Sequence, residues 1–297
     1  MSPVDWVLEP FSYQFMLHAL TTTVVASVVC ALLSCWLVLI GWSLMGDAVA
    51  HAVLPGVVLA YVVGAPFALG AAVFGFLAVG LIGAVRGTKQ VKEDAAIGIV
   101  FTTLFAVGLV LSSITPSQVD LDGIVFGNVL GISFAEVIQI GIVALVVGTV
   151  LLVKRRDLTL YAFDPAHARS IGIDPRVLSA VLLGALAMTV IVALQVVGVV
   201  LVVGMLIIPG ATASLMTKRF TRMLLVAPFL SASCSVIGLL VSYWADASPG
   251  GLVIAFQGAL FGVVLLGRLC YTRLNLGAMG PRAAAQPSTA TDVPAAL

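Results

Sequence analysis

Asp47 and His51 stand four residues apart in the stretch Ser43 to Gly56, SLMGDAVAHAVLPG, inside a sequence that is otherwise almost entirely apolar. On a helix that spacing puts both side chains on one face, about 6 Å apart. A carboxylate oxygen and an imidazole nitrogen can then converge on one cation. Ionisable groups at membrane depth are costly and mark ion or proton pathways. A second reading stays open: Asp47 as the N-cap of a helix opening after Gly46, with His51 a structural histidine at a wet helix end. Pro55, four residues beyond His51, has no N–H to give, so a kink there leaves polar backbone near the pair.

The elements that must hold these residues are membrane helices. Of 297 residues, 61% are hydrophobic and 9% charged, and the mean hydropathy is +1.21. Soluble domains carry about 25% charged residues. The apolar runs of about 20 residues suit helical spans, whereas barrel strands would show ten-residue alternation. The chain therefore reads as an all-α integral membrane protein set in a lipid bilayer. A net charge of +1 leaves no basic footprint for a nucleic acid. Cys30, Cys35, Cys234 and Cys270 form no CxxC pair and read as small apolar packing residues. Met1 to Pro10 contains acids and no basic residue, so no cleavable signal peptide is expected.

Apolar segments run from Phe15 to Ile40, Ala48 to Gly64, Phe67 to Val85, Ala95 to Ser113, Phe134 to Val153, Val177 to Leu194, Val196 to Met216, Met223 to Trp244 and Leu252 to Gly267, giving eight or nine transmembrane helices. All 14 basic residues fall in four clusters: Arg86, Lys89 and Lys92; Lys154, Arg155, Arg156, Arg169 and Arg176; Lys218, Arg219 and Arg222; Arg268, Arg273 and Arg282. The positive-inside rule assigns these to the cytoplasm, with the N-terminus outside and the C-terminus inside. That requires an odd number of crossings or a broken segment. The turn GWSLMG between Ile40 and Asp47 carries no basic residue, so the second helix is expected to begin within or just under the membrane, as discontinuous helices do in transporters.

Residues 1–14 are then an external segment, 15–270 the transmembrane domain, and 271–297 a cytoplasmic tail expected to be disordered. Ile114 to Ser133 is the longest external stretch, a candidate cap for the outer mouth or a plain surface loop. The cytoplasmic loop 154–176 contains a short helix, opened by Asp164 and Pro165 and stopped by Gly172, that is either a docking knob or a solvated connector. Its His167 reads as a surface residue. Gly198, Gly204, Pro209 and Gly210 lie within one apolar run and suit close helix packing and a kink.

Three stretches in order, SLMGDAVAHAVLPGVVLA, FDPAHARSIGI and LQVVGVVLVVGMLIIPGATA, resemble the permease subunits of ATP-binding-cassette importers for manganese, zinc or iron. The resemblance covers about Phe15 to Cys270. It implies a cell-membrane protein of the type II importer class, in the homodimeric arrangement of the vitamin B12 importers. It further implies two ATP-binding subunits docked on the internal loop at Asp164, Ala166, Arg169, Ser170 and Gly172, and an external metal-binding protein. Asp47 and His51 would contribute to a metal site in the pathway. No permanent cofactor is implied; ATP belongs to the partner subunit and a divalent metal is the cargo.

A two-fold axis would bring two Asp and two His together, a donor set suited to Mn(II), Fe(II) or Zn(II). Protons would compete for the same atoms as pH falls. The wording GDAVAHAVLPG looks most like the manganese and iron branch, so manganese is the first expectation. The chain lacks GxxxxGK[ST], HExxH and GxSxG, so no catalysis of its own is expected. The competing class is a self-contained secondary cation transporter or channel that uses Asp47 and His51 as a relay and needs no docking helix.

Overall fold

Gln14 to Ile40 contains neither Gly nor Pro, so nothing interrupts its backbone ladder, and these 27 residues form one helix, α1. It ends where Gly41 takes φ +90° and returns its N–H to the Leu37 carbonyl at 3.0 Å. The computed structural model describes residues 9–87, 91–115 and 131–278. After α1 come α2 (Met45–Ala52), α3 (Leu54–Val63), α4 (Phe67–Gly87), α5 (Glu93–Ile114) and α6 (Phe134–Val153). Two short helices, α7 (Arg155–Phe163) and α8 (Pro165–Ser170), lead to α9 (Pro175–Val197), α10 (Val199–Met216), α11 (Phe220–Ala245) and α12 (Pro249–Ala278).

Among the described residues, nine stretches are long and apolar enough to cross a membrane, with α2 and α3 together making the second. The fold is all-helical in these residues. α1 lies at the centre of one group, packed on α10 and α11, with α12 closing against both of them. A second group joins α3 to α4 and α5, while α9 contacts α4, α6 and α2. α1 and α9 each have 67% of their central stretch buried, against 11% for α12. Trp36, Leu33 and Leu37 of α1 are fully buried, whereas Leu145 of α6 and Leu266 of α12 are exposed apolar side chains that suit lipid or another protein surface.

The run of small residues in α10 allows close approach. Gly210 donates its N–H to Ser34 Oγ at 3.0 Å, and a Cβ there would run into Ser34. Pro209 sits in the same turn and the helix continues through it. The boundary between α9 and α10 falls at Gly198, with φ +82° and ψ 164°, a conformation open in practice to glycine alone. α9 begins earlier than the apolar run suggests, because Asp174 Oδ1 accepts the Arg176 N–H at 2.9 Å and Pro175 is pre-set for the first turn. α12 extends to Ala278; the rest of the expected tail and most of the segment 114–133 lie outside the described residues.

Candidate functional site: an acid and histidine pair in a broken span

α2 opens at Met45 with Leu44 in the capping position, so Asp47 lies inside the first turn and caps nothing. The capping alternative for Asp47 is thereby corrected: Leu44 takes that position and the Asp47 side chain is engaged elsewhere. His51 stands one turn on, and its Nδ1 lies 3.1 Å from Asp47 Oδ1 and 3.0 Å from the Asp47 carbonyl oxygen. The two side chains touch each other instead of standing apart around a gap. With two oxygens as neighbours, Nδ1 carries the proton and donates, so in the neutral ring the Nε2 lone pair is the remaining acceptor.

The span breaks two residues beyond His51. Val53 separates α2 from α3, and Pro55 has no N–H for the His51 carbonyl four residues before it. Gly108 of α5 allows that helix to approach Leu54 and Pro55, where any Cβ would collide. The edges of Phe101 and Phe105, both on α5, meet the His51 ring with centroids 5.4 Å away. A cavity of about 430 Å³ opens here between α2, α3, α5, α9 and α10, walled by Leu54, Phe105, Leu194 and Val203. Among the described residues, Asp47 and His51 are its only ionisable lining groups. Each is about one-third exposed, at 33% and 31%.

Among the described residues, no third His, Cys, Asp or Glu joins them to complete a metal-binding cluster. One chain thus offers two protein donors, fewer than a closed site needs. An apolar cavity with one carboxylate and one oriented imidazole can favour a cation, because the carboxylate offsets part of the charge that the walls cannot solvate.

The internal loop carries different chemistry. Asp164 Oδ1 accepts the N–H groups of Ala166 at 3.1 Å and His167 at 2.9 Å and so starts α8. Gly172, at φ +85°, donates to the Arg169 carbonyl at 3.1 Å just after that helix ends. Ala168 is buried, while Ala166, His167, Arg169, Ser170 and Gly172 are exposed.

Sequence reasoning passed over three other side chains. Phe101 and Phe105 share the i, i+4 spacing of Asp47 and His51, which was the available signal. Trp42, fully buried in the loop before α2, packs against Tyr161 of α7 at 6.5 Å and under the Arg86 guanidinium at 4.4 Å. It joins the site-bearing span to the internal loop, and no local pattern announces that.

Nine apolar spans among the described residues, the second broken beside an ionisable pair in an internal cavity, define a polytopic membrane permease. The chain belongs to the ABC 3 transport family, whose model matches residues 12–268. It is similar to a probable iron transport system membrane protein of Haemophilus influenzae, 48% identical over 261 residues that cover 88% of this chain and 96% of that one. It is also similar to the manganese transport system membrane protein MntB of Synechocystis, 47% identical over 262 residues covering 88% and 86% of the two chains. Among solved structures it is similar to PsaBC from Streptococcus pneumoniae in complex with Fab, with a TM-score of 0.81 and 31% identity over 92% of this chain and 99% of that one.

Proposed function

We propose that this chain is the translocation subunit of an ATP-driven importer of divalent metal, with manganese the first candidate cargo and iron or zinc the alternatives. The observation that carries the reading is the contact between His51 Nδ1 and Asp47 Oδ1 at 3.1 Å inside an apolar cavity. It holds Nδ1–H on the carboxylate and leaves Nε2, the nitrogen a metal takes from the neutral ring, for another partner. The relatives named for iron and manganese transport support the metal class. Zinc would bind the same donors more tightly than manganese by intrinsic affinity, so selection falls to geometry and to an external metal-binding protein that delivers the ion.

A second copy of the chain across a two-fold axis would supply the missing donors, giving two Asp and two His around one ion. The walls of Leu54, Phe105 and Val203 would strip water from the ion while the carboxylates offset its charge. The bound metal is cargo, and no permanent cofactor is required.

ATP is bound and hydrolysed by two separate ATP-binding subunits, since this chain lacks the phosphate loop. Their docking segment is the loop 154–176. Asp164 and Gly172 shape it, and Ala166 and Ser170 are exposed on it, flanked by exposed Phe163 and Ile171, while Arg169 lines the cavity beside α9. The chain lies in the cell membrane with its N-terminus outside and its C-terminus in the cytoplasm. Two features support that orientation: the odd number of spans among the described residues, and a cavity lined by Arg86 of one basic cluster with Arg169 and Arg176 of another.

The test is ATP-driven uptake of Mn(II), Fe(II) and Zn(II) into proteoliposomes holding the chain, its ATPase and the external binding protein. Wild type should accumulate manganese only with ATP, and His51→Ala should assemble and stop. Uptake driven by a proton gradient without the ATPase would replace this reading with a secondary transporter.

A further inference from the structure

A second cavity, of about 760 Å³, lies between α4, α7, α8 and α9, away from the Asp47 and His51 pair. Arg86 enters it from the last turn of α4, Arg169 from α8 and Arg176 from the first turn of α9. Among the described residues, Arg169 and Arg176 form no ion pair. Asp174 lines a recess with them and accepts the Arg176 backbone N–H on Oδ1 at 2.9 Å. Asp157 pairs with Lys154 at 3.4 Å instead.

Apart from Tyr161 and Ser179, the rest of the lining is apolar, with Phe76 and Val79 from α4 and Ala180 and Leu183 from α9. At about 1.5 Å rise per residue, Phe76 lies roughly 15 Å along α4 from Arg86, and Leu183 roughly 10 Å along α9 from Arg176. The cavity thus has a cationic end and an apolar end. Gly80 and Gly184 line it with nothing within 4 Å of where a Cβ would stand, so the slot between α4 and α9 is open space. Arg86 and Arg176 fall at the ends of candidate spans, the level of a lipid headgroup.

We propose that this cavity binds the phosphate headgroup of an anionic phospholipid, with its acyl chains running along Phe76, Val79 and Leu183. Planar guanidiniums suit phosphate oxygens, and basic pockets between membrane helices at that level take anionic headgroups. A free phosphate would leave the apolar half unfilled, and so would an acidic loop of a docked subunit. The site is independent of which ion the permease carries.

Native mass spectrometry of the full chain released from nanodiscs of mixed phosphatidylglycerol and phosphatidylcholine tests this, with and without the bound ATPase. Wild type should retain phosphatidylglycerol selectively in both states. Arg169→Gln with Arg176→Gln should lower that retention about fivefold for each arginine removed. Gly80→Leu, which fills the slot and leaves every arginine in place, should lower it as well, while Arg155→Gln with Arg156→Gln on α7 should not. Equal retention of the two lipids, or an unchanged double variant, would overturn the proposal. A matching fall in the Arg155 and Arg156 variant would do the same, showing only diffuse surface charge. Loss of the lipid on ATPase binding would assign the arginines to the protein partner, and displacement by inorganic phosphate alone would assign them to a free anion.

Discussion

The two cavities differ in how their charges are compensated. In the one of about 430 Å³, acid and histidine are each other's partners, surrounded by apolar walls in the middle of a broken span. In the one of about 760 Å³, Arg86 and Arg176 at the ends of spans and Arg169 of α8 line a common wall. A charge kept at membrane depth needs a partner, whereas at a span's end water and lipid headgroups lower its cost. The first arrangement is suited to exchanging a proton for a metal cation. The second is suited to holding an anion that arrives with the membrane.

The largest expected effect breaks the first cavity alone. His51→Gln removes the one oriented imidazole and should lower metal affinity by at least about 100-fold, measured by equilibrium binding of Mn(II) to the chain in nanodiscs. Phosphatidylglycerol retention at the second cavity should not change.

Asp47→Asn is milder. An amide oxygen still accepts the Nδ1–H but carries no charge, so affinity should fall about 10- to 100-fold. A fall below that range would reduce Asp47 to a spacer.

Acid should separate the two cavities further. Protons compete with metal for Nε2 and for the carboxylate, so metal binding present at neutral pH should weaken as pH falls. Guanidiniums stay charged throughout, so lipid retention should be flat between about pH 5 and 8. A parallel decline in both would show a general loss of structure.

Smaller effects test the frame that holds the cavities apart. Gly198→Ala places a side chain at φ +82° and ψ 164° between α9 and α10, at an expected cost of about 1–3 kcal/mol in stability. Thermal unfolding in detergent reads it out. Gly172→Ala at φ +85° should cost about 1–2 kcal/mol locally. It should loosen the coupling of ATP hydrolysis to transport, compared as ions moved per ATP.

Much of this was legible in the residues. Phe134 to Val153 is a helix over the same residues in sequence and structure, and Ser133 with Glu136 forms a capping box at its start. The broken second span follows from Pro55, and the acid and histidine pair from a spacing of four. Their direct contact was not legible, because spacing gives a shared face and rotamers decide whether two side chains meet or stand apart. Gly198 was one of several glycines in its run, and only packing on both sides selects it as the break. The gathering of Arg86 with Arg169 and Arg176 joins distant segments through α4 and α9, and helices that are apolar on every face carry little periodic signal of which neighbour they choose.

The central claim is tested most directly by the amount of Mn(II) bound per chain in nanodiscs, wild type beside His51→Gln. The paired site predicts one ion for every two chains in wild type and none in the variant at the same free metal concentration. Full binding by His51→Gln would contradict it and move the cation site away from the broken span.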